Sequence, residues 1–119
     1  MKPHQNLQAW TKSFELVKDL YVLTRAFPSE EKFGLTSQIR RASVSIPANI
    51  AEGAARKSKA EFIQFLRIAL GSLSELDTLV LLSLELGYLS KADSESTIER
   101  LDVIGKLIYG LIKKLSLNK

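Results

Sequence analysis

A chain of 119 residues, 45% hydrophobic and 25% charged, has the size of one folded domain and too much apolar content for intrinsic disorder. It contains no cysteine, which excludes disulfides and any Cys-ligated zinc or iron–sulfur centre. The formal net charge is +4, and the segment from Thr36 to Ala60 accounts for all of it, with Arg40, Arg41, Arg56, Lys57 and Lys59 against Glu52 alone.

Met1 to Trp10 lacks the apolar run of a secretion signal, and the most apolar stretch, Leu79 to Leu84, is far too short to cross a bilayer. The expectation is a soluble, cytoplasmic protein with no membrane partner. Apolar residues recur at spacings of three and four throughout, so helices are expected and strands are not.

The first helix is expected over residues 6–27, with Leu7, Trp10, Phe14, Val17, Tyr21 and Thr24 on one stripe and Leu16, Leu20, Leu23 and Phe27 widening it. Pro28 stops it, because the residue before a proline avoids helical dihedrals. Gly34, in the connection, is free to adopt a positive φ.

The second helix, expected over 35–55, carries Ile39, Ser43, Ile46, Ile50 and Gly53 in heptad rhythm straight through Pro47. A proline there removes one hydrogen bond and crowds the carbonyl of Ser43, at about 3 kcal/mol. The unbroken register predicts a helix that kinks at Pro47 and continues, with the hydroxyls of Ser43 and Ser45 serving the freed backbone groups. Arg41, Ser45, Asn49, Glu52 and Arg56 form a polar stripe on the flank away from the core, with Glu52 and Arg56 one turn apart and able to pair. Arg41, Asn49 and Glu52 are expected to pin neighbouring helices or a subunit boundary.

The third helix, over 59–87, opens on a capping box, Ser58 followed by Glu61. Phe62, Leu66, Ala69, Leu73, Leu76 and Val80 form its inner row, and Phe65, Ile68, Leu79, Leu82 and Leu86 a second. A helix so broadly apolar has to be covered on more than one side; Gly87 terminates it. The fourth, over 91–116, begins at Ser90 with Asp93 and Glu95 in its first turn and Lys113, Lys114 and Lys119 near its C-terminal end, both favourable to the helix dipole. Residues 1–119 thus read as a single all-α domain, an up-and-down four-helix bundle. Leu79, Leu81, Leu82, Leu84, Ile108, Leu111 and Ile112 exceed what one small core covers, which predicts a closed homo-oligomer.

Catalytic chemistry finds few footholds. The one histidine, His4, lies near the N-terminal end, so neither a Ser-His nor a His-metal arrangement can be assembled. Glu52 lacks a second titratable group to share acid–base work. Gly71, Gly105 and Gly110 sit inside helical patterns rather than after a strand, so they mark close helix contacts instead of a phosphate loop. No enzyme, cofactor or metal is expected.

Trp10, Phe27-Pro28, Gly34-Leu35, Gln38, Arg40-Arg41, the core SIPANIAEG, Arg56, Ser58, Glu61-Phe62, Phe65-Leu66, ALGSL, Glu75-Leu76 and Leu86-Gly87 together resemble the four-helix-bundle proteins known as 23S rRNA intervening-sequence proteins. That resemblance spans nearly the whole chain. It implies a bacterial protein forming a homopentameric ring, related to accessory proteins of diversity-generating retroelements that are thought to bind nucleic acid and a reverse transcriptase.

Two functions are compatible with these residues. One is a non-catalytic oligomer that binds RNA or DNA through Arg40, Arg41, Arg56, Lys57 and Lys59, without base preference, since no aromatic residue lies between Phe33 and Phe62 to stack on bases. The other is a structural or protein-interaction scaffold whose cations keep it soluble. Pro47, Asn49, Glu52 and Gly53 are assigned to structure in both.

Overall fold

The computed structural model describes residues 1–117. Short 3-10 turns at Pro3–Asn6 and Ser29–Glu31 accompany four helices, α1 (Gln8–Thr24), α2 (Leu35–Ala54), α3 (Lys59–Glu85) and α4 (Lys91–Leu117), and no strand occurs among the described residues. The chain is all-α, and the helices fall close to their expected bounds. Helix α1 ends three residues early because the amides of Arg25, Ala26 and Phe27 turn back to the carbonyls of Val22, Leu23 and Thr24, the tightening by which orphan C-terminal carbonyls are satisfied. Of the expected C-terminal cations, Lys119 lies outside the described residues.

Each helix packs on its neighbour in sequence and α4 closes onto α1, while the diagonal pairs stay apart. The result is a square up-and-down bundle measuring 47 × 22 × 22 Å, its length set by helices of 27 residues at 1.5 Å rise each. The connections at 25–34 and 86–90 share one end; the 55–58 connection and the last turn of α4 share the other.

The core runs through all four helices, with Leu16, Leu20, Ile39, Ile46, Ile50, Leu66, Leu76, Val80, Leu101, Ile104 and Ile108 all but closed to solvent. On α1 the seam is rotated from the expected stripe. Ala9, Ser13, Leu16, Leu20 and Thr24 face inward, whereas Phe14 and Tyr21 are exposed. Small residues at 9 and 13 let the helix approach closely. The aromatic row instead runs along its flank, where Trp10 stacks on Phe14 with centroids 4.8 Å apart and His4 meets Trp10 edge-on at 5.0 Å.

Helix α2 runs unbroken through Pro47, and Ile39, Ser43, Ile46, Ile50 and Gly53 are all buried, as the heptad register requires. The hydroxyls do not serve the group expected. Ser43 Oγ donates to the Arg40 carbonyl at 2.9 Å, because a serine bonding back along a helix reaches the carbonyl one turn before it and not its own. Ser45 Oγ instead shares a 2.8 Å hydrogen bond with Ser72 Oγ on α3. Asn49 Nδ2 donates to both the carbonyl and the hydroxyl of Ser45, at 2.8 and 2.9 Å. The polar stripe therefore lines the seam between α2 and α3 at its middle and turns outward only at Arg41, Glu52 and Arg56.

The glycines also depart from expectation. Gly71 and Gly110 meet open space, and Gly105 makes only ordinary contact with Leu73; the close approach belongs to Gly53, packed against Phe62 and Phe65. Gly34 keeps a negative φ of −110°, and what it accommodates is the carboxylate of Glu31, whose Oε1 would lie 2.7 Å from a Cβ there. That oxygen accepts the Leu35 amide at 3.0 Å, capping α2, while Oε2 accepts the Tyr88 hydroxyl at 3.2 Å. Burial, and then the Glu31 carboxylate, hold the Tyr88 phenol above its ordinary pKa. Gly87 terminates α3 at φ +80°, a conformation glycine adopts without cost. Ser58 and Ser90 cap α3 and α4, accepting the amides of Glu61 and Asp93.

The expected apolar surplus is partly absorbed. Leu79, Ile108 and Ile112 belong to the protomer's own core, and Leu84 and Leu111 are half-buried. What stays exposed is Ile68, Leu81 and Leu82 on α3 and Leu86 just past its end.

Candidate nucleic-acid interface

The five cations singled out from the sequence lie on α2, in the connection that follows it, or, for Lys59, at the first residue of α3, at two levels. Arg40 and Arg56 are 16 residues apart, which along a helix is about 24 Å. They do not form one cluster.

At the upper level Arg40 is built into the fold. Its Nε donates to Thr24 Oγ1 at 2.9 Å and a terminal nitrogen to the Tyr21 carbonyl at 3.3 Å, with the guanidinium 4.5 Å from the Tyr21 ring centroid. Thr24 Oγ1 itself donates to the Leu20 carbonyl at 2.7 Å. A cation over the last carbonyls of a neighbouring helix offsets the negative end of its dipole, so Arg40 closes the C-terminus of α1 from outside. Arg41 points the other way, into a shallow groove between α2 and α3 of about 490 Å³, shared with Gln38, Ser45, Ser72 and Glu75.

At the lower level the chain leaves α2 at Ala54, crosses 55–58 and re-enters helix at Lys59. Arg56 reaches Glu52 at 3.7 Å, the pairing expected from their spacing, and lies 4.8 Å above the Phe65 ring centroid. That aromatic face is thereby covered by the arginine. Lys57 and Lys59 are exposed.

The fold adds cations that the α2 segment alone does not reveal. A cut across the bundle at the Ser45–Ser72 bond puts nine Lys and Arg against three Asp and Glu in the half holding the 55–58 connection (residues 1–15, 45–72 and 104–117). The other half (residues 16–44 and 73–103) holds seven against ten. The halves carry +6 and −3. Lys2, Lys12, Lys106, Lys113 and Lys114 join Arg56, Lys57 and Lys59 because an even number of antiparallel helices returns α4 to the end where α3 begins. In the sequence Lys113 and Lys114 had read only as complements to the dipole of α4; the alternation of helix direction was the signal that places them here.

These features define a class of protein, a four-helix bundle with one basic end; among the described residues no group of His, Asp or Glu gathers to hold a metal ion. The chain belongs to the 23S rRNA-intervening sequence protein family, whose model matches residues 5–110. It is similar to a crystallised protein of unknown function from the S23 ribosomal protein family of Bacteroides thetaiotaomicron, with 30% identity and a TM-score of 0.78 over 88% of this chain and 98% of that one. No curated protein sequence matches it. Neither description names a catalytic activity, and among the described residues no helix is long and apolar enough to cross a membrane.

Proposed function

We propose that the chain is a non-catalytic, homo-oligomeric module that holds RNA or DNA on its basic surface without strong base preference. The observation that carries this reading is the exposed basic corner between α2 and α3, where Arg56 and Lys57 in the connection and Lys59 at the start of α3 fall within four residues. Phosphate contacts by such residues are indifferent to sequence, and the Phe65 ring beside them is occupied by Arg56, which fits backbone binding rather than stacking. Arg40, engaged with α1, and Arg41 contribute less than Arg56, Lys57 and Lys59.

Assembly multiplies the charge. The exposed apolar residues of α3 suit a contact with a second copy, and the family resemblance favours a ring of five, which would carry about +20. Light scattering at micromolar concentration tests it, and a monomer mass refutes it. For the nucleic-acid role the test is replacement of Arg56, Lys57 and Lys59 together by Ala, with the assembly confirmed intact. RNA and DNA affinity should fall alike, and the slope of log affinity against log salt should flatten by about 0.7–0.9 per lost phosphate contact.

The scaffold reading draws on one observation, that Arg40 and Arg56 are both committed within the protomer. It is favoured if untreated purified protein shows an A260/A280 ratio free of nucleic acid and the parent chain binds no oligonucleotide at low salt.

A further inference from the structure

Resting on the nucleic-acid reading, we infer that a polyanion crosses the end of the bundle, bridging the 55–58 connection and the last turns of α4, and leaves the α2 flank that carries Arg40 and Arg41 uncontacted. Three observations lead there. The positive excess is confined to the half of the molecule that ends in these two segments, and a net positive field is what gathers phosphates. The upper arginines are poor recruits, since Arg40 is bound to Thr24 and Tyr21 and Arg41 shares its groove with Glu75. Arg56 is exposed at the end of the bundle; its ion pair with Glu52 at 3.7 Å is open to solvent and weak, and its guanidinium is held oriented on Phe65, so less side-chain freedom is lost on engaging a phosphate. The end of the bundle is 22 Å across, a width that a short run of nucleotides of one strand spans. Contacts from segments as far apart as Lys57 and Lys113 can therefore be made at once.

The test is fluorescence anisotropy of a labelled 20-nucleotide single-stranded RNA of mixed sequence, read at several salt concentrations, against the whole chain and two charge reversals. In Lys113→Glu/Lys114→Glu, affinity should fall at least tenfold at low salt, and the salt slope should flatten by about 1.4, two contacts' worth on a single strand. Arg41→Glu should change affinity by less than twofold. Circular dichroism and light scattering confirm that each variant keeps its fold and mass; if the α4 reversal does not, Lys113→Gln/Lys114→Gln takes its place with a smaller loss in the same direction. Loss of affinity in Arg41→Glu, or none in the α4 variants, overturns the end-on placement while leaving nucleic-acid binding standing. A parent chain that binds no RNA but does bind vesicles rich in phosphatidylserine overturns both, and assigns the basic end to a lipid surface.

Discussion

A Cβ on Gly53 would stand 2.8 Å from the Cβ of Phe65, closer than two such carbons can approach. Helix α2 comes this near α3 because position 53 has no side chain, and the Phe62 ring and carbonyl close the remaining space at 2.9 and 3.2 Å. Gly53→Ala should therefore destabilise the protein although alanine favours helix by up to about 1 kcal/mol. Overpacking costs about 1–3 kcal/mol, and the net loss should appear as a melting temperature lower by about 3–6 °C. Gly71→Ala is the control: its Cβ meets nothing, so stability should rise by up to about 1 kcal/mol.

Arg40 should prove to be a residue of stability. Removing it leaves Thr24 Oγ1 without its donor and the Tyr21 carbonyl with only the Thr24 hydroxyl at 3.3 Å, a loss of about 1–2 kcal/mol in denaturant unfolding. Lysine should not restore it, because one ammonium cannot reach both acceptors and lie flat on Tyr21. RNA affinity of Arg40→Ala, measured well below its melting temperature, should stay within twofold of the parent's.

At Pro47, where the ring removes the donor for the Ser43 carbonyl, α2 should bend by more than about 20°. A crystal structure in which residues 35–46 and 48–54 share one straight axis would end that expectation. Asn49 supports the turn just beyond, with its amide on the carbonyl and hydroxyl of Ser45. Asn49→Ala should cost about 1–2 kcal/mol, and pairing it with Ser72→Ala should give less than the sum of the two single losses, because all three side chains belong to one network.

Tyr88 predicts an alkaline limit. Its phenol is held above the ordinary value of about 10 by burial and by Glu31. The folded state therefore keeps a proton that the unfolded chain gives up, and this contribution is complete below pH 10 and lost as pH rises through the folded-state value. Unfolding free energy should decline above pH 10, and Tyr88→Phe should make that decline shallower while lowering stability in the neutral range, where the hydrogen bond to Glu31 is intact. An identical alkaline slope in both proteins would show that the Glu31 contact contributes nothing there.

Most of the architecture was legible because helix period, caps and breakers act locally. Ile39 to Gly53 carried the register of α2 through a proline, and Ser58 and Ser90 marked the starts of α3 and α4. The misplaced features depend on what stands opposite. The inward face of α1 is set by where Ala9 and Ser13 permit approach, which the larger Trp10 and Phe14 obscure in any count of apolar residues. Likewise, only the presence of Phe62 and Phe65 distinguishes the crowded Gly53 from the open Gly71. For the candidate site, the 56–59 segment was visible as adjacent letters. Lys113 and Lys114 could be joined to it only once the direction of four helices was known, and the engagement of Arg40 only once Thr24 was seen beside it.

The separation of +6 from −3 along the bundle has a kinetic consequence. Antiparallel neighbours cancel their helix macrodipoles in pairs, so the molecular dipole is left to the side chains, and it lies along the 47 Å axis. A protomer drifting toward a negatively charged body experiences a torque before it touches anything, turning the 55–58 end forward. Such orientation raises the fraction of productive encounters and fades once the Debye length, about 8 Å in physiological salt, is short compared with the molecule.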